Sequence, residues 1–164
     1  MRLQAIPVLH DCVLRCDGPK SSAPHRPTRP SPSQLFWLDL SANFIGDDGA
    51  KTIADALVNN SSLAHLDMHS CGIRDRGLGS ISAMLKSNKS VESLNLRANY
   101  IQDYGIQVLA EAITENNTLK ELNVHSNDFS RTGGDVLMGV LREHPTIRSH
   151  GHSGPGLEEA CAVQ

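Results

Sequence analysis

Three histidines and an aspartate in the middle of the chain carry side chains that often bind metal ions. His65, Asp67 and His69 alternate along one segment, and His125 lies further along the chain. Imidazole and carboxylate groups are both ligands that zinc accepts. If the segment is an extended strand, however, His65 and His69 are ~13 Å apart and cannot share one ion. We therefore predict no metal site at these residues.

A second candidate metal site lies near the start of the chain, where Cys12 and Cys16 follow His10 and Asp11. The spacing is not that of a CxxC knuckle, and no second Cys/His pair follows at zinc-finger distance. The chain has only 4 cysteines in 164 residues, too few for a disulfide-stapled secreted fold. The sequence therefore predicts reduced thiols in a cytoplasmic protein.

Nucleophilic catalysis has no better support in the sequence. Ser41 and Ser93 have no histidine with an orienting carboxylate at a matching position. The net charge of -3 gives little attraction to nucleic acid. Apolar runs such as 136–141 are far shorter than the ~20 residues that span a bilayer. We expect a non-enzymatic protein with no cofactor, no nucleic acid partner and no membrane segment.

The chain contains an internal repeat with a period of 28 residues. Four units cover residues 35–146 without an insertion, and a fifth begins at Ile147. Repeats of this length predict a solenoid in which stacked units share one core. The columns that recur include Leu38, Leu66, Leu94 and Leu122; Asn43, Cys71, Asn99 and Asn127; and Gly49, Gly77, Gly105 and Gly133.

Each unit carries the pattern of one strand and one helix. The segment Leu94-Asn95-Leu96 alternates apolar and polar residues, as a half-buried strand does. From Asp103 onward, apolar residues recur with the spacing of one helical face. These residues are Ile106, Leu109, Ala110 and Ile113.

Polar residues recur at the ends of these elements. The column Asn43, Asn99 and Asn127 is predicted to satisfy buried backbone groups of adjacent coils, with Cys71 as a weaker substitute. Two further columns are predicted to close the helices. An N-cap role at the start of the same repeat's helix is expected for Asp47, Asp75 and Asp103. A left-handed conformation after the helix is expected for Asn60, Asn88 and Asn116.

The third unit matches LxxLxLxxNxIxxxGxxxLAxALxxN from Val91 to Asn116, with valine and isoleucine at two of the leucine positions. This pattern resembles the leucine-rich repeat of the ribonuclease-inhibitor type. The resemblance implies an α/β fold, a right-handed curved solenoid with parallel strands on the concave face and helices on the convex face. The predicted repeat domain spans residues 35–150. An unbroken run of such units is most similar to the repeat domains of NACHT-containing receptors and related cytosolic or ciliary proteins.

The segments outside the repeats differ in composition. Residues 1–34 hold six of the eight prolines and a net positive charge, and we expect them to be disordered. Within them, Pro24–Arg29 matches a PxxPx+ ligand of SH3 domains, which is a weaker alternative. Residues 151–164 are predicted to form a flexible tail. Four repeats leave both ends of the solenoid uncovered, so a shortened form of a longer array is an open alternative.

Strand alternation predicts which side chains line the concave face. With Leu38 and Leu40 in the core, Trp37, Asp39 and Ser41 face outward, and their equivalents in later units form three columns. Neighbouring strands lie ~4.8 Å apart, which brings the columns into one surface. The residues predicted to bind a protein partner there are Trp37, Asp39, His65, Asp67, His69, Asn95, Arg97, Glu121, Asn123 and His125.

The main functional hypothesis is a non-enzymatic protein–protein interaction module that binds an unidentified partner on the concave face. Ribonuclease-inhibitor-like domains generally act in this way. One alternative is a structural subunit of a larger cytoskeletal or ciliary assembly. Another is a regulator of a small GTPase, because Ran GTPase-activating proteins share this repeat type. The acidic tail typical of that family is reduced here to Glu158 and Glu159.

Overall fold

Each 28-residue repeat folds into one strand, a loop and one helix. The computed structural model describes residues 35–147 and the strand Val13–Arg15. The predictions for the rest of residues 1–34, including Pro24–Arg29, and for residues 151–164 lie outside the described residues. In chain order, the elements are β1 (Val13–Arg15), β2 (Trp37–Asp39), α1 (Gly46–Leu57), β3 (His65–Asp67), α2 (Asp75–Ser87), β4 (Ser93–Asn95), α3 (Asp103–Glu115), β5 (Glu121–Asn123) and α4 (Arg131–Glu143).

The strands form one sheet in the order β1-β2-β3-β4-β5. The strands from β2 to β5 are parallel, and each pairs with the next at a shift of 28 residues. The central leucine of each strand therefore stands beside its equivalent, and Leu94 in the middle of the row is 1% exposed. This arrangement confirms the predicted α/β leucine-rich-repeat solenoid, with parallel strands on one side and helices on the other.

The helices pack side by side, each against the helices of adjacent coils. The predicted apolar face of α3 is buried, with Ile106, Leu109 and Ile113 fully shielded from solvent. Burial of a side chain of this size contributes about 2 kcal/mol, and one continuous core joins all four coils. In the described part of the chain, no helix is both long and apolar enough to cross a bilayer.

The strand β1 lies against β2 and is the one antiparallel strand of the described sheet. Leu14 stands opposite Leu38 in this pairing. An unpaired strand edge exposes a row of backbone N–H and C=O groups, so β1 covers the edge that β2 would otherwise present to solvent. No pattern in residues 1–34 predicts this strand.

The asparagine column after the strands joins each coil to the one before it. The Asn99 Nδ2 donates to the Met68 carbonyl at 3.0 Å, and Oδ1 accepts from the N–H groups of Cys71 and Ile73, both at 3.0 Å. Asn127 repeats this arrangement one coil later. Buried backbone groups left without a partner would each cost about 1–3 kcal/mol. The predicted bridging role is confirmed for Asn99 and Asn127, whereas the Asn43 Nδ2 donates to the Leu40 and Ser41 carbonyls of its own coil.

Cys71 occupies the same position in the second coil and makes only part of these bonds. Its Sγ donates to the Leu40 carbonyl at 3.1 Å, as an asparagine amide would. The thiol has no oxygen to accept with, and the Ile45 N–H bonds instead to the Asn43 carbonyl of its own coil at 2.9 Å. Burial raises the pKa of the Cys71 thiol to about 12, so it keeps its hydrogen at neutral pH.

The asparagine column after the helices also bridges neighbouring coils. The Asn88 Nδ2 donates to the Leu57 carbonyl at 2.8 Å, while Oδ1 accepts from the Val91 N–H at 2.9 Å. The φ angles of Asn88 and Asn116 are -70° and -99°, so their predicted left-handed conformation is wrong. The side-chain bonds across coils account for these asparagines. Left-handed backbone occurs instead at Ala42, Ser70, Ala98 and Ser126.

His144 takes the asparagine position after α4. Its Nε2 lies 2.7 Å from the Asn116 carbonyl, and its Nδ1 lies 3.2 Å from the Ile147 N–H. Because Nδ1 must accept the second bond, the hydrogen of the ring is on Nε2. In this tautomer the imidazole reproduces the donor and the acceptor of an asparagine side chain.

The aspartate column bridges coils in the opposite direction. The Asp47 Oδ1 accepts from the N–H groups of Arg74 and Gly77 at 2.8 and 3.0 Å, at the start of α2. Asp75 and Asp103 bind the starts of α3 and α4 in the same way. The prediction that each aspartate caps its own helix is wrong, because Asp75 and Asp103 are themselves the first helical residues. Each carboxylate caps the helix of the following coil.

The recurring glycines leave room for these carboxylates. A Cβ atom on Gly77 would lie 2.6 Å from the Asp47 Oδ1 and 3.0 Å from the Asp47 Cα. A Cβ atom on Gly133 would lie 2.5 Å from the Asp103 Oδ1. The glycine and aspartate columns are therefore two halves of one contact between neighbouring coils.

We expect Gly77→Ala to lower the free energy of unfolding by about 1–3 kcal/mol, because the added methyl group must displace Asp47 or α2 itself. Gly79→Ala is the matched control, since it lies in the same helix and has no heavy atom within 4 Å of an added Cβ. That change should stabilise the protein by up to ~1 kcal/mol through the better helix propensity of alanine. Urea unfolding measures both values, and equal stability of the two variants would contradict the contact.

The aspartate column also predicts a pH dependence. Hydrogen bonds from the Ser130 hydroxyl and N–H, both at 2.7 Å, lower the pKa of Asp103 from its ordinary value of 3.8. With its folded pKa below its unfolded pKa, Asp103 stabilises the protein fully above the unfolded value and loses this effect as pH falls through the folded value. Asp103→Asn should therefore lower the melting temperature at pH 7 and have a smaller effect at pH 3. An equal effect at both pH values would contradict a role for the ionised carboxylate.

Candidate functional site

The residues predicted for the concave face lie together on the outer side of the parallel sheet. Strand pairing places the first two columns in register. A third column follows the strand ends. The columns are Trp37, His65, Ser93 and Glu121; Asp39, Asp67, Asn95 and Asn123; and Ser41, His69, Arg97 and His125. Their placement agrees with the predicted alternation, and their role in binding stays a prediction.

The middle column forms the turns that follow the strands. The Oδ1 atoms of Asp39, Asn95 and Asn123 each accept from the backbone N–H two residues further on, at 2.9 to 3.1 Å. Asp67 does the same and also accepts from the Asn95 Nδ2 at 3.0 Å. Because of these hydrogen bonds, the four side chains are less free to bind a partner than strand alternation alone predicts. The sequence analysis missed this structural role, which the repeated Asx residue at the strand end could have indicated.

The first column begins with an aromatic cluster. The Trp37 ring stacks on the His65 imidazole with 4.9 Å between centroids and 21° between planes. Phe36 meets the same imidazole edge-on at 5.1 Å. Trp37 remains 37% exposed, so it is a rigid aromatic side chain with one free face. At the other end of the column, the Ser93 hydroxyl donates to the Glu121 carboxylate at 3.0 Å.

The third column contains the side chains that are freest to meet a partner. Arg97 and His125 are exposed, and neither side chain bonds to another residue in the described part of the chain. The His69 Nδ1, by contrast, lies 3.0 Å from the Asp67 Oδ1. Against the single guanidinium of Arg97, the face presents the carboxylates of Asp39, Asp67 and Glu121. This charge balance favours a partner surface that carries basic groups.

Within residues 35–147, no group of three or more His, Cys, Asp or Glu side chains is placed to hold a metal ion. The Ser93 hydroxyl donates to a carboxylate rather than to an imidazole base. The face presents aromatic, hydrogen-bonding and charged side chains.

A second surface, which the sequence analysis missed, lies where the strands lead into the helices. Phe44, Tyr100 and Tyr104 are 82%, 53% and 69% exposed there. We call the surface formed by these three residues and Arg74 the aromatic edge. Large aromatic residues at positions outside the buried columns of the repeat are the signal that could have identified it.

Exposure and bonding separate two classes of residue on the concave face. Asp67→Ala should lower the free energy of unfolding by about 1–2 kcal/mol, because it leaves the His69 N–H and the Asn95 amide without their acceptor. Arg97→Ala should change it by less than about 0.5 kcal/mol, since the side chain is exposed. Chemical unfolding of both variants tests the distinction. Equal losses would show that the middle column is not structural.

Comparison with known proteins identifies the repeat more closely. The model of the TMOD/LMOD leucine-rich domain matches residues 42–148. A solved structure titled leiomodin-1 actin-binding site 2 is 26% identical, with a TM-score of 0.64 over 68% of this chain. This chain covers 66% of that leiomodin-1 chain, just under two thirds. No curated protein sequence gives a significant match.

A tropomodulin C-terminal domain from Caenorhabditis elegans has the same fold. It is 12% identical, with a TM-score of 0.65 over 77% of this chain and 78% of its own. These findings support the leucine-rich repeat class but not the specific likeness to ribonuclease inhibitor and NACHT-containing receptors. The family match covers well over half of the sequence and runs through all four helices. The chain therefore belongs to the TMOD/LMOD leucine-rich domain family.

Proposed function

We propose that this protein is a non-enzymatic, cytoskeletal module that binds actin. The observation that carries the proposal is the 26% identity, over 68% of the chain, to a structure titled as an actin-binding site of leiomodin-1. The family match over residues 42–148 supports it. The proposal favours the cytoskeletal alternative of the sequence analysis over a general binding module, and it gives the unidentified partner a name.

The chemistry of the strand face is consistent with a non-enzymatic role. The groups that would serve as bases or nucleophiles are bonded to their neighbours, as Asp67 is to His69 and Ser93 is to Glu121. A rigid array of this kind binds with little loss of side-chain entropy. Recognition of a protein surface makes direct use of this rigidity.

The concave face is our proposed contact surface for actin. Trp37 offers an exposed ring held by His65, and Arg97 offers an exposed guanidinium. Tryptophan and arginine are the residue types that most often dominate the binding energy of protein interfaces. His125 and Glu121 lie on the same face in the fourth coil, while Asp39, Asp67, Asn95 and Asn123 hold the turns after the strands.

Co-sedimentation with filamentous actin tests the proposal on the full chain. We expect wild-type protein to sediment with filaments in a saturable manner, and Trp37→Ala/Arg97→Ala to bind at least tenfold more weakly. The matched control is Val58→Ala/Arg142→Ala, which removes a similarly exposed apolar side chain just after α1 and an exposed arginine from α4.

The possible outcomes test separately whether the chain binds actin and whether the concave face makes the contact. A wild-type chain that stays in the supernatant at every filament concentration contradicts actin binding. Saturable binding that the Trp37/Arg97 variant retains at wild-type strength leaves actin as the partner and excludes these two residues as its main contacts. Circular dichroism of each variant shows that the repeat remains folded.

A further inference from the structure

The aromatic edge contains the most exposed large apolar side chains in the described part of the chain. Phe44, Tyr104 and Tyr100 exceed Trp37, Val58 and Val136 in exposed fraction. Phe44 lies two residues before α1, Tyr100 lies three residues before α3, and Tyr104 is the second residue of α3. Rings this exposed contribute little to the core. A group of them on one side of a small protein therefore indicates a contact surface.

The 28-residue register aligns Phe44 with Tyr100, and Tyr104 follows Tyr100 by four residues. Phe44, Gly72 and Tyr100 occupy the same position in three successive coils. Gly72 has no side chain, and the Phe44 ring extends over it, only 3.3 Å from where a Cβ atom would lie. Arg74 lies in the same coil as Gly72, and its guanidinium is 5.8 Å from the centre of the Tyr100 ring in the next coil. The row is therefore continuous from the first coil to the third.

Backbone hydrogen bonds hold the loops of this row in place. The Gly46 N–H donates to the Cys71 carbonyl at 2.9 Å, and the Tyr100 N–H donates to the Ile73 carbonyl at 2.8 Å. Each bond ties a loop to the neighbouring coil. The rings are thus presented by a rigid frame, which lowers the entropy lost when a partner covers them.

The charges along the edge include one cation, Arg74, and one carboxylate, Asp128, that form no ion pair within the described residues. The carboxylates of Asp47 and Asp75 accept backbone N–H groups of the following coils, and Asp48 pairs with Arg76. Arg74 makes no ion pair within the described residues, and its guanidinium lies over an aromatic ring. Beside it, an open depression is lined by Tyr100, Gln102, Arg76 and the carboxylates of Asp47, Asp75 and Asp128. An arginine supported by a ring can bind a carboxylate of a partner while the rings cover apolar side chains.

From this placement we propose that the aromatic edge is a second contact surface for actin, separate from the concave face. The proposal rests on the actin binding proposed above and adds where a further part of the interface lies. The chemistry of the edge requires an apolar patch bordered by at least one carboxylate on the actin surface. Phe44, Tyr100 and Tyr104 cover the patch, and Arg74 pairs with the carboxylate.

Co-sedimentation of the full chain with filamentous actin tests this surface with matched variants. The edge variant is Phe44→Ser/Tyr100→Ser/Tyr104→Ser. Its control, Val58→Ser/Val136→Ser, changes apolar residues that are 39% exposed just after α1 and 40% exposed on α4. Arg74→Glu, with Arg142→Glu as its control, tests the charge. We expect the edge variant and Arg74→Glu each to bind at least tenfold more weakly, and both controls to stay within about twofold of wild type.

Each outcome decides one of the two proposals. If wild-type protein does not sediment with actin, the proposed function itself fails. If wild type binds while the edge variant and Arg74→Glu bind equally well, the second surface is overturned and the proposed function stands. Sedimentation velocity tests whether a second copy of the chain covers the edge. Self-association that the edge variant abolishes, with actin binding unchanged, overturns the proposal. If the triple variant does not fold, Arg74→Glu and the single change Tyr104→Ser decide the result.

Discussion

Backbone groups buried between coils need hydrogen-bond partners, and side chains of the neighbouring coil provide them. Asn99 and Asn88 bind carbonyl and N–H groups that no helix or strand satisfies, and the aspartates bind the free N–H groups at the starts of the following helices. Without these bonds, the apolar core could not be closed, because each stacked coil would bury several unpaired polar groups. The recurring polar columns therefore matter to this fold as much as the recurring leucines.

The fold could be predicted because each 28-residue unit of the sequence corresponds to one coil of the solenoid. The columns that recur every 28 residues fix the strand, the helix and the inward-facing residues, and Leu94 and Leu109 are buried as the pattern predicts. Which backbone group each polar side chain reaches could not be predicted. Asp75 caps a helix 27 residues further along, and Asn116 has extended backbone, because contacts between coils depend on how the coils stack rather than on local sequence preference. The strand β1 lies outside the repeats, so the repeat pattern could not predict it.

The candidate site divides in a similar way. Alternation correctly places Trp37 and Arg97 on the outer face of the sheet, but it cannot show that Asp67 is occupied by His69 and Asn95. The repeat specifies a scaffold that many proteins share, whereas the partner depends on residues that vary between units. Phe44 and Tyr100 belong to a position that varies between units, with Gly72 in the second coil. A search for recurring residues therefore does not detect them. The family match identifies the TMOD/LMOD leucine-rich domain family, which the repeat period alone does not distinguish from other leucine-rich repeats.

The asparagines bind to the coil before them and the aspartates to the coil after them, which gives the solenoid a direction. In the fourth coil, Arg131 occupies the position that aspartate has in the earlier coils. Within the described residues, no later coil provides an asparagine to donate hydrogen bonds to the carbonyl groups of this fourth coil. Its core residues are also less well shielded, with Val124 and Phe129 each 8% exposed while Leu96 and Ile101 in the third coil are 0% exposed. The fourth coil is therefore the least firmly held of the four described coils, and local opening is favoured there.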